Sequence, residues 1–469
     1  MRPFTTKRRT PPDIARQSAV KYSELIRVTL SCCDFDYADQ SMTSPESIGR
    51  EALRKASWRL LPLLGLGYGI AYIDRVNISF ASLQMNEDLH FSAAVYGLGG
   101  GLFFLSYALL EVPSNLMLVR FGARRWIFRI MLTWGVIATG MMFVTTPMQF
   151  YVMRFLLGAA EAGFFPGVVY YLMQWFPAEQ RGKAISRFYV ALPLSSALMG
   201  SMAGALLDLR GTWGLAGWQW LFLVQGSPAI VLSFVILRYL PDGPATARWL
   251  TEPERDWILQ TLAEDNSRHG VLPDHGVLRA LANPLVWLLG IASICILGSS
   301  YAFTLSAPAI LMQATQLDAT HVGFLMAGVA LVSAVGMLTA GWHSDFRRER
   351  YLHVATFMVL LSCAYLTLGL AMAPLLLVGA YALTVIVGNA NQAVFWLIPS
   401  DVLRGRSAAA GVAAIGSIGM IGSFLGPYAW GVARDATGSY QAGLMGIAVA
   451  FLIAGTIVLG LRWWSRRGE

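Results

Sequence analysis

Twelve apolar segments, each about as long as a bilayer crossing, constrain this chain more than any other feature of its sequence. A membrane-spanning helix needs roughly 20 consecutive residues that are mostly apolar. This pattern predicts an all-α membrane protein with twelve transmembrane helices. Numbered from span one to span twelve, the segments are 58–83, 95–119, 126–145, 148–175, 184–208, 218–240, 284–312, 321–342, 354–373, 375–400, 407–433 and 441–464.

The composition agrees with a membrane protein and excludes an ordinary soluble one. Hydrophobic residues make up 56% of the chain and charged residues 13%, whereas a soluble domain has about 25% charged residues. The net charge of +8 does not indicate a nucleic-acid partner. Its Lys and Arg residues lie in short loops, where such residues set the orientation of a membrane protein.

The basic loop residues alternate along the chain. They concentrate in the loops after even-numbered spans, whereas the other loops carry none or one. Basic loops stay on the cytoplasmic side, so we predict cytoplasmic termini in a multi-pass protein of the inner (plasma) membrane. The residues are Arg120, Arg124 and Arg125 after span two, Arg181, Lys183 and Arg187 after span four, Arg347, Arg348 and Arg350 after span eight, and Arg404 and Arg406 after span ten.

The chain divides into four predicted regions. Residues 1–56 are polar and are expected to form a largely disordered cytoplasmic tail, partly an upstream-start artefact if translation begins at Met42. Two six-helix bundles, at 57–240 and 284–465, flank a cytoplasmic linker at 241–283.

The linker contains the signature of a short amphipathic helix. Thr251 and Glu254 stand at the two ends of a Thr-Glu-Pro-Glu capping box, which marks a helix start. Trp257, Ile258 and Leu262 follow on one side of the predicted helix. We expect this helix to lie along the membrane.

Two loop motifs of the first half recur in the second half. Glu179-Gln-Arg-Gly-Lys-Ala184 follows span four, and Asp401-Val-Leu-Arg-Gly-Arg-Ser-Ala408 follows span ten. Arg120-Phe-Gly-Ala-Arg-Arg125 follows span two, and Asp345-Phe-Arg-Arg-Glu-Arg350 follows span eight. Both pairs are separated by about 225 residues, so we interpret the halves as parallel repeats. Such repeats around a midplane site are typical of secondary transporters.

The charged residues that lie away from the ends of the spans belong to the first half: Asp74, Arg75, Glu111, Arg154 and Glu161. A charge inside a bilayer costs several kcal/mol unless it is paired or hydrated, so these residues indicate a polar cavity. Arg154 and Glu161 are seven residues apart and share one helix face. A purely structural ion pair is the alternative, and for Glu111 a structural or gating role is the main expectation.

Two of these arginines indicate an anionic substrate. At ~1.5 Å per residue, Arg75 in span one and Arg154 in span four reach similar depths in the bilayer. A guanidinium group binds a carboxylate through two parallel hydrogen bonds, so both arginines are predicted to bind substrate. The further candidates for substrate binding are Tyr72, Tyr107, Gln392, Trp396 and Ser417.

Asp74 and Glu161 are the candidates for proton coupling. A low dielectric favours the protonated carboxyl group, whereas a nearby arginine favours the charged form. These groups can therefore alternate between protonated and arginine-paired states. We expect protonation of Glu161 to release Arg154 for the substrate, so that anion and proton bind together.

Several strings of residues carry a family resemblance. They are Tyr72-Ile-Asp-Arg-Val-Asn77, Glu111-Val-Pro-Ser-Asn115, the stretch 154–174, Gly217-Trp-Gln-Trp-Leu-Phe222 and Ser423-Phe-Leu-Gly-Pro427. With these strings, residues 56–465 resemble the major facilitator superfamily, and within it the anion:cation symporter family, close to bacterial tartrate- and phthalate-type carboxylate transporters. The resemblance implies the superfamily's fold of two six-helix repeats. It also implies that the span-one acid and the span-four glutamate couple protons, and that the two arginines bind a carboxylate.

The resemblance further implies an intracellular latch in the loops after spans two and eight. Val119 stands where the family has an acid in the first copy. The matching residues are Arg120, Gly122, Arg124 and Arg125 in the first copy and Gly341 and Asp345 in the second.

Two strings depart from the family pattern. Span eleven lacks the usual amides in Ile415-Gly-Ser-Ile-Gly-Met420, and span seven has Leu305-Ser-Ala-Pro308 in place of a more aromatic string. The departures favour a less hydroxylated or an aromatic carboxylate.

We therefore expect a proton-coupled symporter that moves a small organic anion, such as tartrate, a sugar acid or an aromatic acid, by alternating access. An exporter or antiporter of such acids is the alternative, and a non-transporting sensor on the same scaffold is an alternative of another class. No Ser/His/Asp set, phosphate loop or metal-ligand spacing appears in the sequence, so an enzyme, a cofactor and a metal are not expected. The expected partners are the anion, protons and lipid, with the protein as a monomer.

Overall fold

The computed structural model describes residues 45–269, 282–347, 349–370, 373–399 and 407–467, and these ranges contain helices and no strand. Met42, Arg348, Arg404 and Arg406 lie outside them, as does the second copy of the loop motif that follows span ten.

We number the longer helices of the described ranges in chain order. They are α1 (Pro45–Asp88), α2 (Ala93–Phe121), α3 (Ala123–Gly140), α4 (Pro147–Glu161), α5 (Phe164–Met173), α6 (Ala178–Tyr189), α7 (Ala191–Leu207), α8 (Gly217–Tyr239), α9 (Glu252–His269), α10 (Pro284–Thr315), α11 (Ala319–Arg347), α12 (Tyr351–Leu370), α13 (Pro374–Phe395), α14 (Ser407–Thr437) and α15 (Gln441–Arg467).

The described parts of the twelve predicted spans fall on these helices, apart from a few residues at their ends. Among the described residues, eleven helical segments are long and apolar enough to cross a membrane, and they correspond to spans two to twelve. Span one lies in α1, whose hydropathy is lowered by Asp74, Arg75 and Asn77. With 44 residues, α1 is about 66 Å long, which exceeds the thickness of a bilayer. The predicted all-α membrane fold is confirmed.

Each half of the molecule has its own apolar core. Trp134 and Trp175 are fully buried in the core of the first half, and Phe395 and Phe451 are buried in the core of the second half. A third cluster brings Leu305 of α10 together with residues of the first half. The two halves are therefore packed units with apolar contacts between them.

The halves meet at one end of the bundle. Gly97 of α2 lies against the backbone carbonyl of Pro427 in α14, and Gly200 of α7 lies against the backbone of Gly323 in α11, so closely that a Cβ on either glycine would overlap the other helix. Only glycine permits such an approach of two helices. We call this region, made by 93–101, 200–204, 320–327 and 424–435, the closed end.

Hydrogen bonds between the halves reinforce the closed end. The Oδ1 and Oδ2 atoms of Asp435 accept hydrogen bonds from the backbone N–H groups of Ala93 and Ala94 at 2.9 and 2.8 Å. These N–H groups begin α2, where unsatisfied donors and the helix dipole favour a carboxylate. The Tyr96 hydroxyl donates to the carbonyl oxygen of Leu305 at 2.9 Å. The start of α2 is thus tied to both α14 and α10.

The beginning of α1 differs from the expected disordered tail. Residues 45–56 are helical and continue directly into span one. Residues 49–56 of this extension pack on the linker helix α9. The Trp257 ring occupies the space that a Cβ on Gly49 would need, and Lys55 Nζ lies 2.6 Å from Glu254 Oε1. Composition suggested a tail because the residues that order this segment belong to a helix about 200 positions later.

The helix that follows the capping box is α9. The Thr251 N–H donates to Glu254 Oε2 at 2.9 Å, which is one of the two hydrogen bonds of a capping box. Ile258 is fully buried, and Trp257 and Leu262 pack against the core of the first half. The apolar side of α9 therefore faces protein that belongs to the first half.

Span four is broken, whereas the sequence pattern suggested one continuous helix. The chain leaves α4 at Glu161, and Gly163 adopts a left-handed conformation with φ of +85° before α5 begins. Pro166 is the third residue of α5, where its missing N–H is not needed by the helix. The Ser114 side chain fills the space beside Gly163. The break places Glu161 at a helix end, and discontinuous helices are typical of transporter binding sites.

Candidate functional site

Two arginines from different helices lie against the same aromatic ring. The Cζ atoms of Arg75 in α1 and Arg154 in α4 are 5.8 and 4.9 Å from the centre of the Phe103 ring. This placement agrees with their expected similar depth. Asp74 and Glu161 accompany them on the same two helices, so four charged side chains collect around one position.

Arg75 is paired with Glu161. Its Nε and Nη2 atoms lie 2.7 and 2.5 Å from Oε1 of Glu161. The Glu161 side chain is fully buried, and that of Arg75 is 18% exposed. The expectation that Glu161 holds Arg154 is therefore wrong in this structure. Helical spacing places Arg154 and Glu161 on one face, but it carries no information about a partner on another helix.

Arg154 is 1% exposed and has few partners. Its Nε donates to the carbonyl oxygen of Gly99 at 3.3 Å, and its Nη1 has no hydrogen-bond partner among the described residues. No carboxylate of the described ranges lies within 4.0 Å of it. The guanidinium group thus has an unused donor in a buried position.

Asp74 is bound by uncharged groups. The Trp134 indole N–H in α3 donates to Oδ2 of Asp74 at 2.5 Å, and Asn77 Nδ2 lies 3.4 Å from Oδ1. Neither residue was among the sequence candidates. Asn77 could have been found, because it lies three residues after Asp74 on the same helix, whereas nothing local connects Trp134 to Asp74.

Tyr107 and Tyr301 lie near Arg75, and Tyr72 precedes it by three residues on α1. The Tyr107 ring centre is 5.0 Å from Cζ of Arg75, and Tyr301 of α10 lies within electrostatic range of Arg75. The Tyr301 ring packs 4.0 Å from that of Phe104, and Tyr72 accepts a hydrogen bond from Ser196 at 3.4 Å. Tyr301, which sequence reasoning missed, brings the second half of the molecule to the charged cluster.

The substrate-binding candidates of the second half show no contact with the four charged residues among the described contacts. Trp396 packs against the neighbouring Phe395 ring, with centres 5.7 Å apart, and its indole faces Gly416. Gln392 is half-buried in α13, and Ser417 is exposed on α14. Their part in substrate binding stays a prediction.

A carboxylate from another place in the chain contacts the first copy of the predicted latch motif. Val119 offers no carboxylate, but Asp242 Oδ1, just after α8, accepts the backbone N–H of Arg124 at 3.1 Å. Gly122 has φ of +86° and packs against this carboxylate. Of the remaining latch residues, Arg120 stacks on Phe121, Arg125 is exposed and Gly341 faces open space, while the Asp345 side chain lies outside the described part.

Comparison with known proteins identifies a family. Residues 64–427 match the family model of the Major Facilitator Superfamily. A protein of Agrobacterium vitis named "Putative tartrate transporter" is 42% identical over 409 residues, which cover 87% of this chain and 90% of that protein. The "Quinolone resistance transporter" of Acinetobacter baumannii is 38% identical over 403 residues, which cover 86% of this chain and 93% of that protein.

A solved structure has the same fold. It is a bacterial homologue of the human lysosomal transporter Spinster, in an inward-facing and unoccupied conformation. It aligns with a TM-score of 0.72 and 17% identity, covering 87% of this chain and 96% of that one. At that identity the likeness concerns the fold, whereas the family model and the two relatives span most of the sequence. The chain therefore belongs to the Major Facilitator Superfamily and is a multi-pass membrane transporter.

Proposed function

We propose that this transporter is a proton-coupled symporter of a small organic anion and that it imports the anion across the inner membrane by alternating access. The main support for the proposal is the environment of the Arg154 side chain. Its guanidinium group is buried, has an unused donor, and has no carboxylate of the described residues within ion-pair distance. A buried charge without a partner is unfavourable, so a carboxylate ligand is its natural complement.

The charge of the cluster supports the coupling of anion to proton. With Asp74 and Glu161 ionised, two carboxylates balance Arg75 and Arg154. A bound monoanion then leaves one excess negative charge in a buried site, which is unfavourable. Protonation of either carboxyl group restores neutrality, so each monoanion binds with one proton.

The pairing in the structure suggests an order of events. Protonation of Glu161 removes the charge that holds Arg75, whose Nε and Nη2 both donate to it. Arg75, the partly exposed arginine of the two, then becomes available to a carboxylate together with Arg154. Tyr72 and Tyr107 would line the ligand as sources of hydroxyl groups.

The closed end supports alternating access. Gly323 of α11 lies against Gly200 of α7, whereas Gly341, five turns later on the same face of α11, faces open space. With cytoplasmic termini, as the basic loops predict, the closed end is the outer end. The structure then corresponds to an inward-facing state of two bundles, 57–240 and 284–465, joined by the linker 241–283.

The names of relatives supply two candidate directions of transport. The name of the Agrobacterium relative refers to tartrate and agrees with a carboxylate substrate. The name of the Acinetobacter relative refers to quinolone resistance, which favours export or exchange as the second candidate function. The monomeric state is part of the first proposal.

Transport into proteoliposomes with an imposed inside-alkaline pH gradient tests the proposal. The panel would contain tartrate, a hexuronate, galactonate, phthalate and benzoate. We expect accumulation of at least one acid, abolished by a protonophore and by Arg154→Ala. Arg187→Ala, in an exposed position of α6, is the matched control and should transport normally.

Other outcomes separate the candidates. Exchange of preloaded acid without accumulation would establish an antiporter instead. Accumulation that resists the protonophore would exclude proton coupling, and accumulation by the Arg154→Ala variant would exclude the assigned binding role. Export of a quinolone with no movement of any acid would replace the proposal by the second candidate.

A further inference from the structure

Asp74 has a different neutral partner at each of its two oxygens. Trp134 Nε1 donates to Oδ2 at 2.5 Å, and Asn77 Nδ2 donates to Oδ1 at the longer distance of 3.4 Å. All three side chains are at most 2% exposed. The direct hydrogen-bond partners of Asp74 are therefore two buried, uncharged side chains.

No cation forms an ion pair with Asp74 in the described part of the chain. Arg75 is engaged by Glu161, and Arg154 binds the Gly99 carbonyl oxygen. Arg154 and Glu161, both from α4, are the charged groups that act on Asp74 from a distance, with opposite signs. The helix α3 faces it with Trp134, which carries no charge. The ionised carboxylate thus depends on hydrogen bonds, chiefly the one from Trp134.

Asn77 has an unused acceptor at the same place. Its Oδ1 is buried and has no hydrogen-bond partner among the described residues. A protonated carboxyl group becomes a donor and needs an acceptor. Rotation of the Asn77 amide by 180° exchanges Nδ2 and Oδ1, so the same side chain can donate to the ionised Asp74 and accept from the protonated one.

Trp134 is held in place independently of Asp74. Its ring packs edge-on against Phe164, with ring centres 5.3 Å apart, and α3 packs along α8. Its N–H therefore stays directed at Oδ2 when Asp74 changes its protonation state. Phe164 carries no polar group, so it contributes packing alone.

We infer that Trp134 and Asn77 are positioning residues that adapt Asp74 to both of its protonation states, Trp134 by a fixed hydrogen bond to Oδ2 and Asn77 by reversing its amide at Oδ1. The inference rests on the proposed proton coupling and deepens it. The proton arrives at Oδ1 of Asp74, which then donates a hydrogen bond to Asn77 Oδ1, so Asp74 Oδ1 has a hydrogen-bond partner in both states. Helix movement is not needed for the exchange.

The two residues have opposite effects on proton binding. Trp134→Phe removes the donor to the ionised form, so the midpoint of Asp74 protonation should rise by about 1 pH unit, since a hydrogen bond to a charged group contributes that much. Asn77→Leu removes the oxygen that would accept a hydrogen bond from protonated Asp74. From ionised Asp74 it removes only a long hydrogen bond. The midpoint of Asp74 protonation in this variant should therefore fall.

Infrared difference spectroscopy of the full chain in lipid tests the inference without any transported substrate. The carbonyl band of protonated Asp74, assigned by its loss in Asp74→Asn, is titrated in the wild type, Trp134→Phe and Asn77→Leu. Phe164→Leu is the packing control, because it loosens the Trp134 ring without removing its N–H, and its midpoint should match the wild type.

Trp134→Phe and Asn77→Leu are separate tests, so the inference can still be tested if one of the two variants fails to fold. A rise in Trp134→Phe together with a fall in Asn77→Leu supports the inference, and if only one variant folds, its expected shift supports the inference. Unchanged midpoints, shifts in the same direction, an equal shift in Phe164→Leu, or an Asp74 that never changes its protonation state would overturn it. Since no transport is measured, absence of proton-driven uptake would count against the proposed function alone.

Discussion

Arg75 contacts Glu161 through two nitrogens that share one carboxylate oxygen. Nε and Nη2 of Arg75 lie 2.7 and 2.5 Å from Oε1, whereas Oε2 of the same carboxylate has no partner among the described residues. The pair joins α1 to the broken end of α4. Loss of the Glu161 charge would therefore free Arg75, and no carboxylate of the described ranges forms an ion pair with Arg154.

Glu161→Gln should uncouple transport from the proton gradient. The amide keeps the shape of the side chain but cannot change its charge, so Arg75 would no longer be held and released by a proton. We expect gradient-driven accumulation to fall by about tenfold or more, while exchange of preloaded acid persists. Glu179→Gln, at an exposed position of α6, is the control. Accumulation at the wild-type level in Glu161→Gln would refute the coupling role.

Arg154→Lys should lose most of the uptake although it keeps the positive charge. Lysine lacks the planar fork that binds a carboxylate through two hydrogen bonds, and it cannot reach the Gly99 carbonyl oxygen in the same way. We expect initial rates to fall by roughly 10- to 100-fold. Arg187→Lys serves as the control. Full activity of Arg154→Lys would mean that a point charge is sufficient.

Asp435→Ala should weaken the closed end. Its carboxylate binds the N–H groups of Ala93 and Ala94, and loss of a helix cap costs about 1 kcal/mol. That corresponds to roughly a fivefold change in the ratio of closed to open molecules. Spin labels at the exposed Trp213 and Leu317, in a background without native cysteines, would report the distance between the halves.

The control for the closed end is Asp208→Ala. Asp208 is exposed at the end of α7 and belongs to the same side of the bundle. Its distance distribution should equal that of the wild type, whereas Asp435→Ala should show a larger population at long distance. Identical distributions in both variants would mean that the apolar contacts at Gly97 and Gly200 hold the closed end unaided.

The contact between α9 and α1 should depend on pH. Burial raises the pKa of the Glu254 carboxyl, but hydrogen bonds from Lys55 and the Thr251 N–H outweigh it, so the pKa lies below the ordinary value of 4.5. A lowered pKa in the folded state means that the contact stabilises above the ordinary value and that this contribution is lost as the pH falls through the folded value.

Melting of the detergent-solubilised protein checks this pH dependence. Glu254→Gln should reduce the free energy of unfolding by about 1–2 kcal/mol at neutral pH, and its difference from the wild type should shrink as the pH falls below about 4.5. Glu264→Gln, on the exposed side of α9, should melt like the wild type throughout. A difference that does not change with pH would contradict the assigned ion pair.

Gly163→Ala should destabilise the break in span four. The left-handed conformation of Gly163 disfavours a Cβ, and the Ser114 side chain already fills the space. We expect a loss of about 1–3 kcal/mol, measured as a lower melting temperature. Gly182→Ala is the matched control, since Gly182 lies within α6 with open space around it, and alanine should be neutral or stabilising there. Equal melting of both variants would show that the break tolerates a side chain.

Part of the candidate site was readable from the sequence, because its signal is local. Asp74, Arg75, Arg154 and Glu161 are charges in apolar segments, and such charges are conspicuous wherever the rest of the chain lies. Their partners were not readable in the same way. Nothing in the sequence around Trp134 distinguishes it from other membrane tryptophans, because its contact with Asp74 depends on the packing of α3 against α1.

Contacts of the loop residues also depend on residues far away in the sequence. Asp242 contacts Arg124 in the first copy of the predicted latch motif from a position more than 100 residues away. Cys295 is half-buried in α10, whereas Cys363 is exposed on α12. His343 is exposed, and its Nδ1 lies 2.8 Å from His353 Nε2.

Hydropathy and charge along the chain by themselves determined the twelve spans and which of them carry the buried charges, because these depend on residues within a few turns of one another. The recurring loop motifs indicated the two repeats. The tertiary structure decided which of these charges pair. Arg75 rather than Arg154 binds Glu161, Trp134 binds Asp74, and the halves close at the end where Asp435 meets α2. Each of these choices depends on which helices pack together, and the energies that select it come from contacts between residues far apart in the sequence.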